Sequence, residues 1–226
     1  MMIKTGYLVA FNVASCIGWT YILMETCRTL YKEENVTLAS AKLWAHVEIS
    51  LKIVQTLAIL EVLHAMVGLV RSPVTSTAMQ VSSRLFNVWV ILVLCPDARY
   101  HWGFIMTMLT WSVTEVPRYA FYALSLLDAV PDWLFFLRYH TYIVLYPSGL
   151  IGEMSCILKA LPFLSTGVYS IQLPNEHNLA LSLYVVVLII LATMVAGMPV
   201  MYSHMNTQRK KAYAKKNEVA THQHQG

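Results

Sequence analysis

Tyr146 and Glu153 stand seven residues apart in the apolar stretch Leu145-Tyr146-Pro147-Ser148-Gly149-Leu150-Ile151-Gly152-Glu153. On a regular helix seven residues turn through about 700°, which brings both side chains within about 20° of one face. The rise between them is about 10.5 Å, too long for a direct hydrogen bond on a straight helix. The two groups can bracket a substrate instead, and Pro147, Gly149 and Gly152 permit a bend that shortens the gap. A phenol and a carboxylate in a dry site form a proton-transfer pair. An interfacial tyrosine beside a structural glutamate has the same spacing, so the spacing alone leaves both readings open.

Other ionisable residues interrupt apolar stretches: Glu61, His64, Arg84, Glu115, Arg118 and Arg138. Each costs at least about 2.5–3.5 kcal/mol at the centre of a bilayer. Such groups are expected to face a bundle interior and to pair with each other or with a ligand. Glu61 with His64, and Glu115 with Arg118, are three apart, a spacing that suits local ion pairs on a helix.

The elements that position these residues read as membrane spans. Charged residues make up 12% of the 226 residues and hydrophobic residues 57%, against about 25% and 45–50% in soluble domains. Mean hydropathy is +0.54. A soluble core of this size cannot bury so much apolar surface. The first span is expected over Thr5–Met24, twenty residues without a formal charge, enough to cross about 30 Å of hydrocarbon. A polar stretch from Arg28 to Lys42 follows. Further spans are expected over Ile49–Val70, from near Ala78 to Asp97 with Arg84 inside, over Gly103–Leu127, over Leu134–Leu158, and over Leu179–Tyr202. Asp128, Pro131 and Asp132 mark a turn between the fourth and fifth. The reading is an all-α polytopic membrane bundle of about six transmembrane helices, one domain over 1–205, with a basic tail over 206–226. Arg209, Lys210, Lys211, Lys215 and Lys216 hold that tail on the cytoplasmic side, by the positive-inside rule. Six spans place the N-terminus on the same side.

Cys16, Cys27, Cys95 and Cys156 lie far apart, and the eight histidines are scattered, so neither a zinc site nor a disulfide scaffold is expected. HExxH, a glycine-rich phosphate loop and GxSxG are absent from the sequence, which leaves the common soluble enzyme chemistries without support. No metal, no cofactor and no nucleic-acid partner is expected.

The stretch Leu145-Tyr146-Pro147-Ser148-Gly149 with Glu153 resembles the signature of the very-long-chain (3R)-3-hydroxyacyl-CoA dehydratases, the protein-tyrosine-phosphatase-like A family. Four further blocks agree in order: Gln55 to His64, Gln80 to Arg84, Trp111 to Glu115 with Arg118-Tyr119, and Leu173-Pro174-Asn175. The likeness covers about residues 50 to 205. Pro117 departs from it, standing where an aliphatic residue is expected. The family's degenerate phosphatase pattern is also incomplete, since Ala65 follows His64 while Arg71 holds the closing position. Without a thiolate there, cysteine-phosphatase chemistry is excluded.

The resemblance implies an endoplasmic-reticulum membrane enzyme of fatty-acid elongation. It would remove water from a long-chain (3R)-3-hydroxyacyl-CoA to give the trans-2-enoyl-CoA, beside other enzymes of the cycle. Tyr146 and Glu153 are then the catalytic pair, with Arg84, Glu115, Arg118, Arg138 and Gly149 binding substrate or supporting the site. With the fifth span entering from the cytoplasm at Leu134, Tyr146 would lie about 18 Å along the helix, and the arginines would hold the CoA phosphates at the mouth. A small transporter and a silent membrane adaptor are the rival readings. No evident internal duplication supports the first, and the intact Tyr146 and Glu153 oppose the second.

Overall fold

The computed structural model describes residues 2–171, 173 and 180–224, and they are helical throughout apart from turns and one isolated bridge between Ile171 and Leu181. Pro174 and Asn175 of the last sequence block lie outside the described residues, as does Leu179 at the expected start of the final span. Among the described residues eight α-helices follow one another: α1 (Met2–Lys32), α2 (Val36–Leu57), α3 (Ile59–Met66), α4 (Val74–Phe86), α5 (Trp102–Ser125), α6 (Asp132–His140), α7 (Tyr142–Leu164) and α8 (Leu183–His224). A π-helical segment, Asn87–Val93, continues α4, and a short 3-10 turn, Pro96–Arg99, leads toward α5.

Four stretches among the described residues are long and apolar enough to cross a membrane: Ile3–Lys32, Val36–Met66, Tyr142–Leu164 and Leu183–Glu218. The expected third and fourth spans do form helices, but α4 has only 13 residues before its π-helical continuation. The 24 residues of α5 include Glu115, Arg118 and Pro117. Charge and interruption set these two rods apart from the four long apolar stretches, so the described residues show four candidate spans where six were expected.

The polar stretch after the first span is helical except at residues 33–35. α1 continues through Arg28 to Lys32, and α2 starts at Val36, well before the expected Ile49. Asn35 caps α2 by accepting a bond from the Leu38 amide at 3.0 Å. Ion pairs absorb the charges, Lys42 with Glu33 at 2.6 Å and Lys52 with Glu48. α3 ends at a left-handed Gly68, φ +69°, and the Leu69 amide bonds back to the His64 carbonyl at 2.8 Å, as helix C-termini commonly close. Asp128 takes φ +52° after α5, and Pro131 precedes α6, so the expected turn is where the sequence placed it.

α1 packs against α2 and α5, and α5 packs against α7. Trp19, Leu43, Val47, Leu51, Val88, Ile91, Phe104, Met108 and Ile157 form the shared core. The outer faces are apolar too, with Ile17, Ile49, Val144 and Val200 exposed, the pattern expected where lipid replaces water.

The crossing of α5 and α7 is the tightest feature near the site. A Cβ on Gly152 would lie 2.8 Å from Thr107 Oγ1 and 3.0 Å from the Thr107 amide nitrogen. One on Gly103 would lie 3.0 Å from the Gly152 carbonyl oxygen. Small residues let the backbones approach. The hydroxyls of Thr107 and Thr110 donate to carbonyls of their own helix at 2.8 Å, so they add no unsatisfied group to the contact. Gly152→Ala must therefore push the helices apart, and we expect a loss of about 1–3 kcal/mol, read as a lower unfolding temperature in detergent.

Candidate active site

Two polar assemblies lie on either side of Trp111. The first is a closed ion network. Arg118 of α5 donates to both carboxylate oxygens of Glu61 on α3, at 2.8 and 2.9 Å, and to Glu115 Oε2 at 2.7 Å. Arg84 of α4 donates to the other Glu115 oxygen, and the Tyr119 hydroxyl donates to Glu61. Two carboxylates thus meet two guanidiniums, and Glu115 at the centre has a side-chain exposure of 2%. The forked geometry suits arginine.

The Glu115–Arg118 pairing agrees with the i,i+3 spacing. Glu61 does not pair with His64 as that spacing suggested; it turns to Arg118. His64 Nε2 is hydrogen-bonded to the Tyr7 hydroxyl at 2.9 Å, with Phe11 edge-on to its ring. Sequence neighbours on one helix lost to a better bidentate partner from another.

The second assembly holds Glu153. Its Oε1 accepts from Trp111 Nε1 at 2.7 Å. Among the described residues it has no cation within ion-pair range, whereas Glu61 and Glu115 are both matched. The Arg84 guanidinium lies over the Trp111 ring, 5.2 Å from its centroid. One indole therefore connects the balanced network to the carboxylate that lacks a cation.

Tyr146 is two turns before Glu153 on α7, which runs unbroken through Pro147, Gly149 and Gly152. No hydrogen bond joins Tyr146 to Glu153 among the described residues. Tyr146 opens instead onto a cavity of about 530 Å³ between α7 and α8, lined also by Ile143, Pro147, Met198, Pro199, Tyr202, Ser203 and Asn206. α6 and α7 meet at Thr141, which keeps helical backbone angles (φ −62°, ψ −26°) and donates its amide to the Leu137 carbonyl at 3.2 Å, so the apolar stretch from Tyr142 follows almost directly on α6. Tyr146 is about 6 Å along α7 from Tyr142 and about 18 Å from Leu134, and Glu153 lies further along.

The supporting residues divide by place. Gly149 is buried against α5, and a Cβ there would lie 3.2 Å from Thr110 Oγ1, so it belongs to the close crossing that brings Glu153 to Trp111. Arg84 and Arg118 are committed to carboxylates. Arg138 is apart from them on α6, donating to the Tyr122 hydroxyl at 3.1 Å.

Sequence reasoning gave no role to Trp111, Tyr119 or Tyr122. Their signal was present: 111, 115, 118 and 122 recur at helical spacing on one face of α5. The α8 wall of the cavity carried none.

Trp111→Phe keeps the ring and removes the donor to Glu153. A hydrogen bond to a charged group contributes about 1.5–3 kcal/mol, so turnover should fall roughly ten-fold or more while the unfolding temperature moves little.

Comparison with known proteins identifies the family. The family model described as protein tyrosine phosphatase-like protein, PTPLA, matches residues 55–215. The Caenorhabditis elegans protein named very-long-chain (3R)-3-hydroxyacyl-CoA dehydratase hpo-8 is 45% identical over 93% of this chain and 95% of its own. The Arabidopsis thaliana very-long-chain (3R)-3-hydroxyacyl-CoA dehydratase PASTICCINO 2 is 38% identical over 95% of this chain and 96% of its own. Human very-long-chain (3R)-3-hydroxyacyl-CoA dehydratase 2 is 36% identical over 92% of this chain and 81% of its own. No solved structure matches. The matched stretch contains the ion network, Trp111, Tyr146 and Glu153, and the relatives align along nearly the whole length: the chain belongs to the protein tyrosine phosphatase-like (PTPLA) family.

Proposed function

We propose that this protein is a very-long-chain (3R)-3-hydroxyacyl-CoA dehydratase of fatty-acid elongation, acting through Tyr146 and Glu153. The observation that carries the reading is Glu153: a carboxylate with an indole donor and, among the described residues, no cation within ion-pair range, two turns from a tyrosine that opens onto a cavity. A carboxylate meant only for folding would be matched, as Glu61 and Glu115 are.

The reaction breaks the C2–H bond, whose electron pair becomes the second bond between C2 and C3. The C3–O bond breaks, and the hydroxyl leaves as water after taking a proton. One member of the pair abstracts and the other protonates. Charge developing on the thioester oxygen needs a donor in the same site. The C2–C3 segment lies between the phenol near the helix start and the deeper carboxylate, with the acyl chain continuing into the apolar interior. Arg84, Glu115 and Arg118 act as the frame that holds Trp111, Gly149 keeps α7 against α5, and Arg138 stands near the mouth.

The bundle has six spans in this reading. α5 and the joined α4–π rod cross alongside the four apolar helices, their charges neutralised inside. The basic end of α8 supports cytoplasmic termini in this reading, in the endoplasmic-reticulum membrane beside the other elongation enzymes.

The test is turnover by the purified chain in liposomes. A long-chain (3R)-3-hydroxyacyl-CoA should yield the trans-2-enoyl-CoA, and the (3S) enantiomer should not. Folded protein that turns over neither would move the reading to a silent adaptor.

A further inference from the structure

We propose that Arg209 and Lys216 of α8, oriented by α6, form the site for the phosphate groups of coenzyme A; this rests on the dehydratase reading above. Arg84 and Arg118 are unsuited to that role. Both are consumed by Glu115 and Glu61 inside the bundle, and pulling either out would strand a buried carboxylate.

Among the described residues, Arg209 and its basic neighbours lie on the far end of α8, clear of that network, whereas Arg138, also without a carboxylate, is directed onto Tyr122 of α5. α8 runs without interruption from Leu183 to His224, so the wall of the Tyr146 cavity and the charged segment are one rod. From Pro199 in the cavity wall to Arg209 the rise is about 15 Å, and to Lys216 about 25 Å. An extended pantetheine arm bridges the nearer of these while its thioester lies at Tyr146.

α6 and the start of α7 fix this rod over the cavity mouth. The Tyr142 hydroxyl donates to Asn206 Oδ1 at 2.9 Å, and its ring meets Tyr202 edge-on. Phe135 packs edge-on against Tyr213. Arg209 Nη2 donates to His140 Nε2 at 2.8 Å, and His140 is stacked on Phe136. The imidazole thus aims the guanidinium without neutralising it, leaving the other nitrogens for a phosphate fork.

Among the described residues Arg209 has no carboxylate partner. Lys216 meets Asp132 at 2.6 Å, but the Asp132 side chain is 89% exposed. An ion pair that open to water is weak and yields to a phosphate dianion. Lys210 and Lys211 add positive charge alongside.

A phosphate-binding face beside a membrane also suits anionic lipid headgroups, so the experiment separates the two sources. The full chain is placed in phosphatidylcholine nanodiscs, as wild type and as the R209A/K216A variant. Three thioesters of the same 3-hydroxyacyl chain are compared: CoA, dephospho-CoA and pantetheine. Binding of adenosine 3′,5′-bisphosphate is measured separately by equilibrium dialysis.

Loss of charged hydrogen bonds should raise the KM for the CoA thioester about 10- to 100-fold, with kcat and the KM for the pantetheine thioester little changed. H140A should raise the same KM by a smaller factor, since it only positions Arg209. Wild type should bind the bisphosphate and the variant should not. An unchanged KM for CoA, an equal rise for pantetheine, or an effect seen only when anionic lipid is added would each overturn the site. The two readings fail separately. Bisphosphate binding without turnover of any thioester removes the dehydratase and keeps the site. Equal turnover of CoA and pantetheine thioesters without bisphosphate binding removes the site and keeps the dehydratase.

Discussion

Tyr146→Phe and Glu153→Gln are each expected to reduce enoyl-CoA formation by about 10²–10⁴-fold, the contribution typical of a positioned acid or base. Both replacements keep the shape of the side chain. Phe keeps the ring that lines the α7–α8 cavity, and Gln keeps an oxygen for the Trp111 indole 2.7 Å away. Unfolding temperatures should therefore stay near wild type, which separates lost chemistry from lost structure. Groups that act as a unit are not additive, so the double variant should be little worse than either single one. Full activity in either variant would remove that residue from the mechanism.

The second large effect is on stability. Glu115 serves two guanidiniums, Arg84 and Arg118, at the most buried point of the ion network. Glu115→Gln leaves Arg118 with Glu61 but strips Arg84 of its carboxylate. Breaking a buried pair from one side costs about 3–5 kcal/mol, and the midpoint of thermal or denaturant unfolding should fall accordingly. Because Arg84 stacks on Trp111 and Trp111 holds Glu153, turnover should drop as well. Adding Arg84→Met removes the stranded charge. The double variant should then be more stable than Glu115→Gln alone, since neutral replacements of buried pairs are tolerated. A double variant less stable than the single one would show that Arg84 contributes through other contacts.

Much of this architecture was legible in the sequence, and the limits have physical causes. Uninterrupted apolar runs located α1 and α8, because hydrocarbon demands helices of that length, and α7 was read through its interrupting Pro, Gly and charged residues. Their ends were misjudged where charges are locally paired. Lys42 and Glu48 lay outside the expected second span but fall within α2, each with an oppositely charged partner. α6 and α7 were read as one span, since Thr141 between them has no glycine or proline beside it and keeps helical backbone angles.

The site was legible in its residue types and only partly in its pairings. Tyr146 and Glu153 do share one helix, as their spacing implied, and their pairing came from the family resemblance. Glu115 with Arg118 followed from the same helix geometry. The Arg118–Glu61 fork, the Tyr7–His64 bond and the α8 wall of the cavity join elements distant in the chain, which no local period encodes. Arg84 and Arg118 were expected at the CoA mouth because a single sequence gives no view of the carboxylates that claim them.

The most direct test uses a (3R)-3-hydroxyacyl-CoA carrying deuterium at C2, turned over by the wild-type chain in liposomes. The account predicts trans-2-enoyl-CoA formed with loss of one C2 label to solvent, one water released at C3, and neither event in Tyr146→Phe or Glu153→Gln. Enoyl-CoA formed at wild-type rate by those variants, or no label loss from folded wild-type protein, would contradict it.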